Sequence, residues 1–108
     1  MQIDPLSFND YQNFCQSVRL PTASPEYCLI NLPAEVGELC SLVAKGIRDG
    51  KKLDHELNVK KELGDALWSI ATIALDNGFT LEEIALSNVN KLTKRKSDNV
   101  LTGSGDNR

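Results

Sequence analysis

The sequence predicts an all-α fold, and three observations carry that expectation. Apolar residues recur at three- and four-residue spacing in separate stretches, alternating strand patterns are weak, and helix caps flank the periodic stretches. A first helix begins near Ser7 and runs to about Val18, with Phe8, Tyr11, Phe14, Cys15 and Val18 at helical spacing. Pro21 and Pro25 then break the chain. Ser24-Pro25-Glu26 is a helix start, with serine as cap, proline in the first turn and an acid at the positive end of the dipole. Pro33 leaves two readings open. One helix runs from Pro25 through Ile47 with a kink at Pro33, which has no backbone N–H to donate, or a short turn precedes a helix that begins at Pro33. Asp49-Gly50 ends the segment.

Lys51 to Leu57 is a charged connection, with Asp54 or Asn58 as cap of the third helix. That helix ends at Asn77-Gly78, a left-handed stop. Thr80-Leu81-Glu82-Glu83 is a capping box and opens the last helix, which runs to about Lys96. Residues 1–96 therefore make one helical domain, and the polar, glycine-containing residues 97–108 are expected to form a loose tail. On the third helix, Leu67, Trp68, Ala71 and Leu75 occupy a second apolar flank, expected at a subunit interface.

Bulk properties narrow the function. A chain of 108 residues is one domain, long enough for a core. Its formal net charge of −3 argues against duplex nucleic acid as a partner, which calls for a basic face. No apolar run is expected to span a bilayer, and Met1-Gln2-Ile3-Asp4-Pro5 lacks the basic and apolar regions of a signal peptide. Cys15, Cys28 and Cys40 are odd in number and form no C-x-x-C, which points to reduced structural thiols in a cytoplasmic protein. His55, between Asp54 and Glu56, reads as a surface residue.

The chemistry lies in four carboxylates. Glu35 and Glu38 form one E-x-x-E, and Glu62 and Asp65 form an E-x-x-D. Residues three apart share a helix face. At about 100° per residue, both pairs fall beside the apolar sector of their own helix, so both face a seam between helices. Two carboxylates about 5 Å apart repel by roughly 3 kcal/mol at an effective dielectric near 20. Four together would oppose folding on the scale of a small domain's whole stability, about 5–15 kcal/mol. A hard divalent cation relieves that repulsion, so the pairs read as a metal site.

Taken with Tyr11-Gln12 and with Asn88-x-x-Lys91-x-x-x-Arg95 in the last helix, these motifs resemble the MazG-like all-α nucleoside triphosphate pyrophosphohydrolases over roughly Tyr11 to Arg95. One departure is Ala34, where many members carry another glutamate. The resemblance implies a four-helix-bundle-like, oligomeric MazG fold that cleaves a nucleoside triphosphate, most naturally a deoxynucleotide in pool house-cleaning, to monophosphate and pyrophosphate. It implies Mg²⁺, with Mn²⁺ able to substitute, on Glu35, Glu38, Glu62 and Asp65, and Glu38 or Glu35 as general base. Attack at the α-phosphorus needs an activated water and relief of triphosphate charge, and bound Mg²⁺ serves both. Lys91 and Arg95, four apart on one helix face, suit phosphate oxygens, and Asn88 extends the row to phosphate or sugar. Gln12 and Tyr11 are base contacts by resemblance alone. Trp68, one turn after Asp65, is either a base-stacking residue or a core tryptophan. The resemblance further implies a homodimer or homotetramer whose neighbouring subunits complete the nucleotide pocket, with neither membrane nor nucleic acid as partner.

Two competing readings remain to be weighed. A di-iron bundle expects E-x-x-H on two helices, and the single histidine lies outside both pairs. A non-catalytic, antitoxin-like interaction module would instead carry the acidic pairs as exposed helix surface.

Overall fold

The computed structural model describes residues 5–51 and 58–107, and the structural statements that follow refer to those residues. They form four helices and no strand: α1 (Phe8–Ser17), α2 (Pro25–Asp49), α3 (Lys60–Asp76) and α4 (Leu81–Ser97). The all-α expectation holds. His55 and Asp54 lie outside the described residues.

The caps act as the sequence predicts. Ser7, Ser24 and Thr80 accept hydrogen bonds from the backbone N–H of Asp10, Tyr27 and Glu83, starting α1, α2 and α4. Gly50 and Gly78 take left-handed backbone angles, φ 65° and 78°, where α2 and α3 stop. Two local points differ. α2 continues through Pro33 as one helix, which decides between the two readings of that proline. Asn58 does not cap α3. Val59 precedes α3 in helical conformation and makes no side-chain capping hydrogen bond.

α2 and α3 form the most extensive helix pair, α1 lies on α3, and α4 touches α1 and α3. The buried apolar centre is small: Cys15, Ala71, Ala74 and Leu81, with Tyr11 and Trp68 packed against it. Here the structure corrects the expected apolar stripes. Phe8, Phe14 and Val18 remain exposed, and Gln12, 3% exposed, fills the interior of α1 instead. Its amide nitrogen donates to the Ala71 and Phe79 carbonyls at 3.2 and 3.0 Å, and its oxygen accepts from Leu81 N at 3.1 Å. One side chain thus ties α1 to the end of α3 and to the start of α4. These bonds give Gln12 a bracing role in the fold. The α3 flank is likewise divided. Ala71 is fully buried and Trp68 packs inward, while Leu67 and Leu75 stay exposed.

Arg19 closes the α1–α2 connection with a two-pronged salt bridge to Asp76 at 2.8 and 2.9 Å and a bond from Nε to the Ala23 carbonyl. The expected loose tail is a second correction. Residues beyond α4 turn back and dock on Arg95, whose guanidinium donates to the Asp106 carbonyl at 2.8 Å.

α2 corrects a third expectation. By length and composition it is able to cross a membrane, with a hydropathy of 1.2 over its most apolar window. Yet Glu35 and Glu38 interrupt its middle, where a bilayer makes charge costly. Glu35 turns instead toward α3.

Replacing Gln12 with alanine removes two buried hydrogen bonds and one half-buried one, and takes that partner from the Phe79 carbonyl and the Leu81 N–H. We expect Gln12→Ala to lower stability by about 2–3 kcal/mol in urea unfolding. A change under about 0.5 kcal/mol would contradict the bracing role.

Candidate metal centre

Helix α2 runs antiparallel to α3. Asn31 Nδ2 donates to Ser69 Oγ at 2.9 Å, and one turn later on α2 Glu35 meets Glu62 and Asp65, one to two turns earlier on α3. Ligand oxygens of these three carboxylates lie within 4.8 Å of one another. The two sequence motifs therefore do converge, through the register of a single helix pair. Glu35 and Glu62 are half-buried, while Glu38 and Asp65 are exposed at the rim. Glu38 stands in hydrogen-bond contact with Glu62.

The electrostatics are those of an acidic site short of positive charge. Burial pushes Glu35 above its ordinary value of 4.5, repulsion from Glu38 and Asp65 adds to the rise, and hydrogen bonds with Glu62 and Asn31 oppose it. Burial also raises Glu62, followed by its contact with Glu38 and repulsion from Glu38, Asp65 and Glu35. Glu35 Oε2 and Glu62 Oε2 are buried without any hydrogen-bond partner. Buried carboxylate oxygens ordinarily find a donor, since leaving one bare costs free energy. Two bare, inward oxygens on opposite helices fit a hard cation, which binds oxygen ligands.

Trp68 packs inward and also borders an open cavity. Its Nε1 donates to the Cys15 carbonyl at 3.3 Å, and its ring packs on the core. It also lines an open cavity of about 460 Å³ with Val18, Leu20, Thr22, Ala23 and Tyr27. Tyr11 packs against the core beside it. Burial and a hydrogen bond with Cys15 push the Tyr11 hydroxyl far up, and the charge of Asp65 adds to the effect.

The expected phosphate row lies on α4, which touches α3 but not α2. Asn88 and Lys91 are exposed on α4, and Arg95 is buried beneath the C-terminal segment. Among the described residues α4 makes no close approach to α2. Sequence reasoning missed Asn31 and Ser69, which brace the carboxylates from one turn away. The available signal was a lone asparagine in the apolar run Leu29-Ile30-Asn31-Leu32, four residues before Glu35.

The fold and site together define an all-α chain whose paired acidic motifs converge on one helix seam and could hold a metal ion. The comparison with known families agrees. The MazG nucleotide pyrophosphohydrolase domain matches residues 23–100, and the chain belongs to that family, whose members generally depend on a divalent metal. A curated relative is the Gene 37 protein of Mycobacterium phage L5, 36% identical over 85 residues, covering 76% of this chain and 75% of the relative. No solved structure matches.

Raised glutamate pKa values have a definite consequence for the metal-free protein. Protonation of Glu35 and Glu62 favours the folded state, so their contribution is complete below 4.5, the unfolded value, and is lost as pH rises through the higher folded values. We expect the melting temperature without metal to fall as pH is raised from about 4.5 toward neutrality. Added Mg²⁺ should restore it at neutral pH, and Glu62→Gln should flatten the metal-free profile. A metal-free melting temperature that climbs over the same range would contradict the site electrostatics.

Proposed function

We propose that this protein is a nucleoside triphosphate pyrophosphohydrolase that releases pyrophosphate from a deoxynucleoside triphosphate. The observation that carries the reading is the pair of buried, unpartnered oxygens, Glu35 Oε2 and Glu62 Oε2, on two carboxylates that meet at the α2–α3 seam. A divalent cation, Mg²⁺ by hardness and charge with Mn²⁺ as substitute, would supply charge neutralisation and water activation on Glu35, Glu62 and Asp65, with Glu38 at the rim.

In the reaction a water oxygen bonds to the α-phosphorus, and the bond from that phosphorus to the β-phosphate bridging oxygen breaks. Glu38, exposed and leaning on Glu62, is the better placed of the two candidate bases to take the water proton. Glu35 is deeper and held by Asn31, which suits a fixed ligand. The cavity beside Trp68 falls within the usual range of ligand pockets, about 300–1,000 Å³, and Tyr27 and Trp68 offer aromatic surface to a base. Lys91, Arg95 and Asn88 would meet phosphate oxygens. Free Cys15, Cys28 and Cys40 suit a reducing, cytoplasmic setting.

Self-association is part of the proposal. The chain exposes 8168 Å² of surface, whereas a compact 11.9 kDa monomer exposes about 5,900 Å². Its radius of gyration is 16.8 Å, against about 13 Å for a compact domain of this length. The uncovered area carries Ile30, Val36 and Ile47 of α2 and Ile84, Leu86 and Val89 of α4. An excess of about 2,200 Å² per protomer is on the scale that obligate homodimers bury. A second copy would cover these faces and bring a phosphate row to a carboxylate seam.

The test is a panel of standard and modified triphosphates assayed for pyrophosphate release with Mg²⁺. At least one deoxynucleotide should yield monophosphate and pyrophosphate, chelation should abolish turnover, and Asp65→Ala should lower kcat/KM by at least about 100-fold. No turnover on any member, with metal binding demonstrated by calorimetry, would favour the interaction-module reading. Light scattering at micromolar concentration should find a dimer or tetramer, and a monomer would contradict the assembly.

A further inference from the structure

The C-terminal segment has a built path. Asn99 takes a left-handed φ of 59° and ends α4, with Val100 N donating to the Arg95 carbonyl at 2.8 Å. Gly103 and Gly105, at φ 101° and 89°, turn the chain back along α4. Asp106 then reaches the basic face. Its Oδ1 lies 3.3 Å from Arg95 Nη2 and 3.5 Å from Lys91 Nζ. The same Arg95 nitrogen also donates to the carbonyls of Gly105 and Asp106.

One carboxylate oxygen shared by an ammonium and a guanidinium marks the seat of an anion. The seat has unused capacity as well. Arg95 is 7% exposed, yet its Nε is buried with no acceptor. A guanidinium that deep ordinarily engages its donors, and the segment leaves this one bare.

We propose that the C-terminal segment is an internal latch on the anion site of α4, with the Asp106 carboxylate occupying the position of a substrate phosphate oxygen. A polyphosphate binds by displacing it. This rests on the reading of Lys91 and Arg95 as phosphate ligands, and it adds a regulation of that same site. Charge determines which anion prevails. Asp106 presents a single negative charge, while a triphosphate presents several and enough oxygens to engage Lys91 and both sides of the Arg95 fork. The Asp106 side chain is 84% exposed, and exposed ion pairs hold weakly, so the latch tunes affinity without closing the site. The hydrogen bond from Arg95, and then the charge of Lys91, hold the Asp106 carboxyl below its ordinary value.

The experiment measures binding of inorganic triphosphate, in the presence of Mg²⁺, to the full-length chain by calorimetry. Asp106→Asn keeps the shape and removes the charge, and Asp106→Ala removes the carboxyl altogether. Both should tighten binding by about three- to fivefold at low salt, and Lys91→Ala combined with Asp106→Asn should erase the gain. Unchanged or weakened binding in Asp106→Asn would overturn the latch and make the segment a wall of the site. The readout does not depend on turnover. Tighter triphosphate binding without any nucleotide hydrolysis would sink the enzymatic reading while leaving the latch intact.

Discussion

The antiparallel register of α2 on α3 is the constraint on which the remaining architecture depends. The Asn31–Ser69 hydrogen bond lies inside that seam, and one turn away the register sets Glu35 against Glu62 and Asp65. A shift of one residue along either helix would rotate a carboxylate by about 100° and take it out of reach. The seam thus holds like charges together at a cost, visible in the raised pKa values of Glu35 and Glu62 and in their two bare oxygens. Helix packing alone does not favour such an arrangement. Like charges and unmet bonding concentrated in one place are what a bound cation would relieve.

The rest of the fold positions that seam without taking part in it. Gln12 replaces a hydrophobic plug with three directional bonds, fixing α1 and the start of α4 relative to α3. Arg19 and Asp76 fasten the connection between α1 and α2 to the far end of α3. The buried apolar centre of Cys15, Ala71, Ala74 and Leu81 is small for a chain of this size. Much of the remaining apolar surface, on α2 and α4 in particular, lies uncovered.

Much of this was legible locally. Ser7, Ser24 and Thr80 mark helix starts, and Gly50 and Gly78 mark stops, because capping hydrogen bonds and left-handed turns depend on a few adjacent residues. The acidic pairs could be placed on seam-facing arcs because helical periodicity is also local. Other assignments failed where the deciding partner is distant in sequence. Phe8, Phe14 and Val18 follow helical spacing yet stay exposed, while the polar Gln12 is buried, because carbonyls about sixty residues away satisfy it. Asn31 was invisible for the same reason, its partner Ser69 lying on another helix.

The chain's own sequence determined the helices, their caps and the pairing of acids at three-residue spacing, since each of these is set by neighbours within one turn. It also determined that the basic residues of the last helix share one face. Only the tertiary structure decided that Glu35, Glu62 and Asp65 converge, that Gln12 braces three helices, and that Asp106 returns to Lys91 and Arg95. Those outcomes depend on helix register and chain reversal, which arise from the summed packing of distant segments.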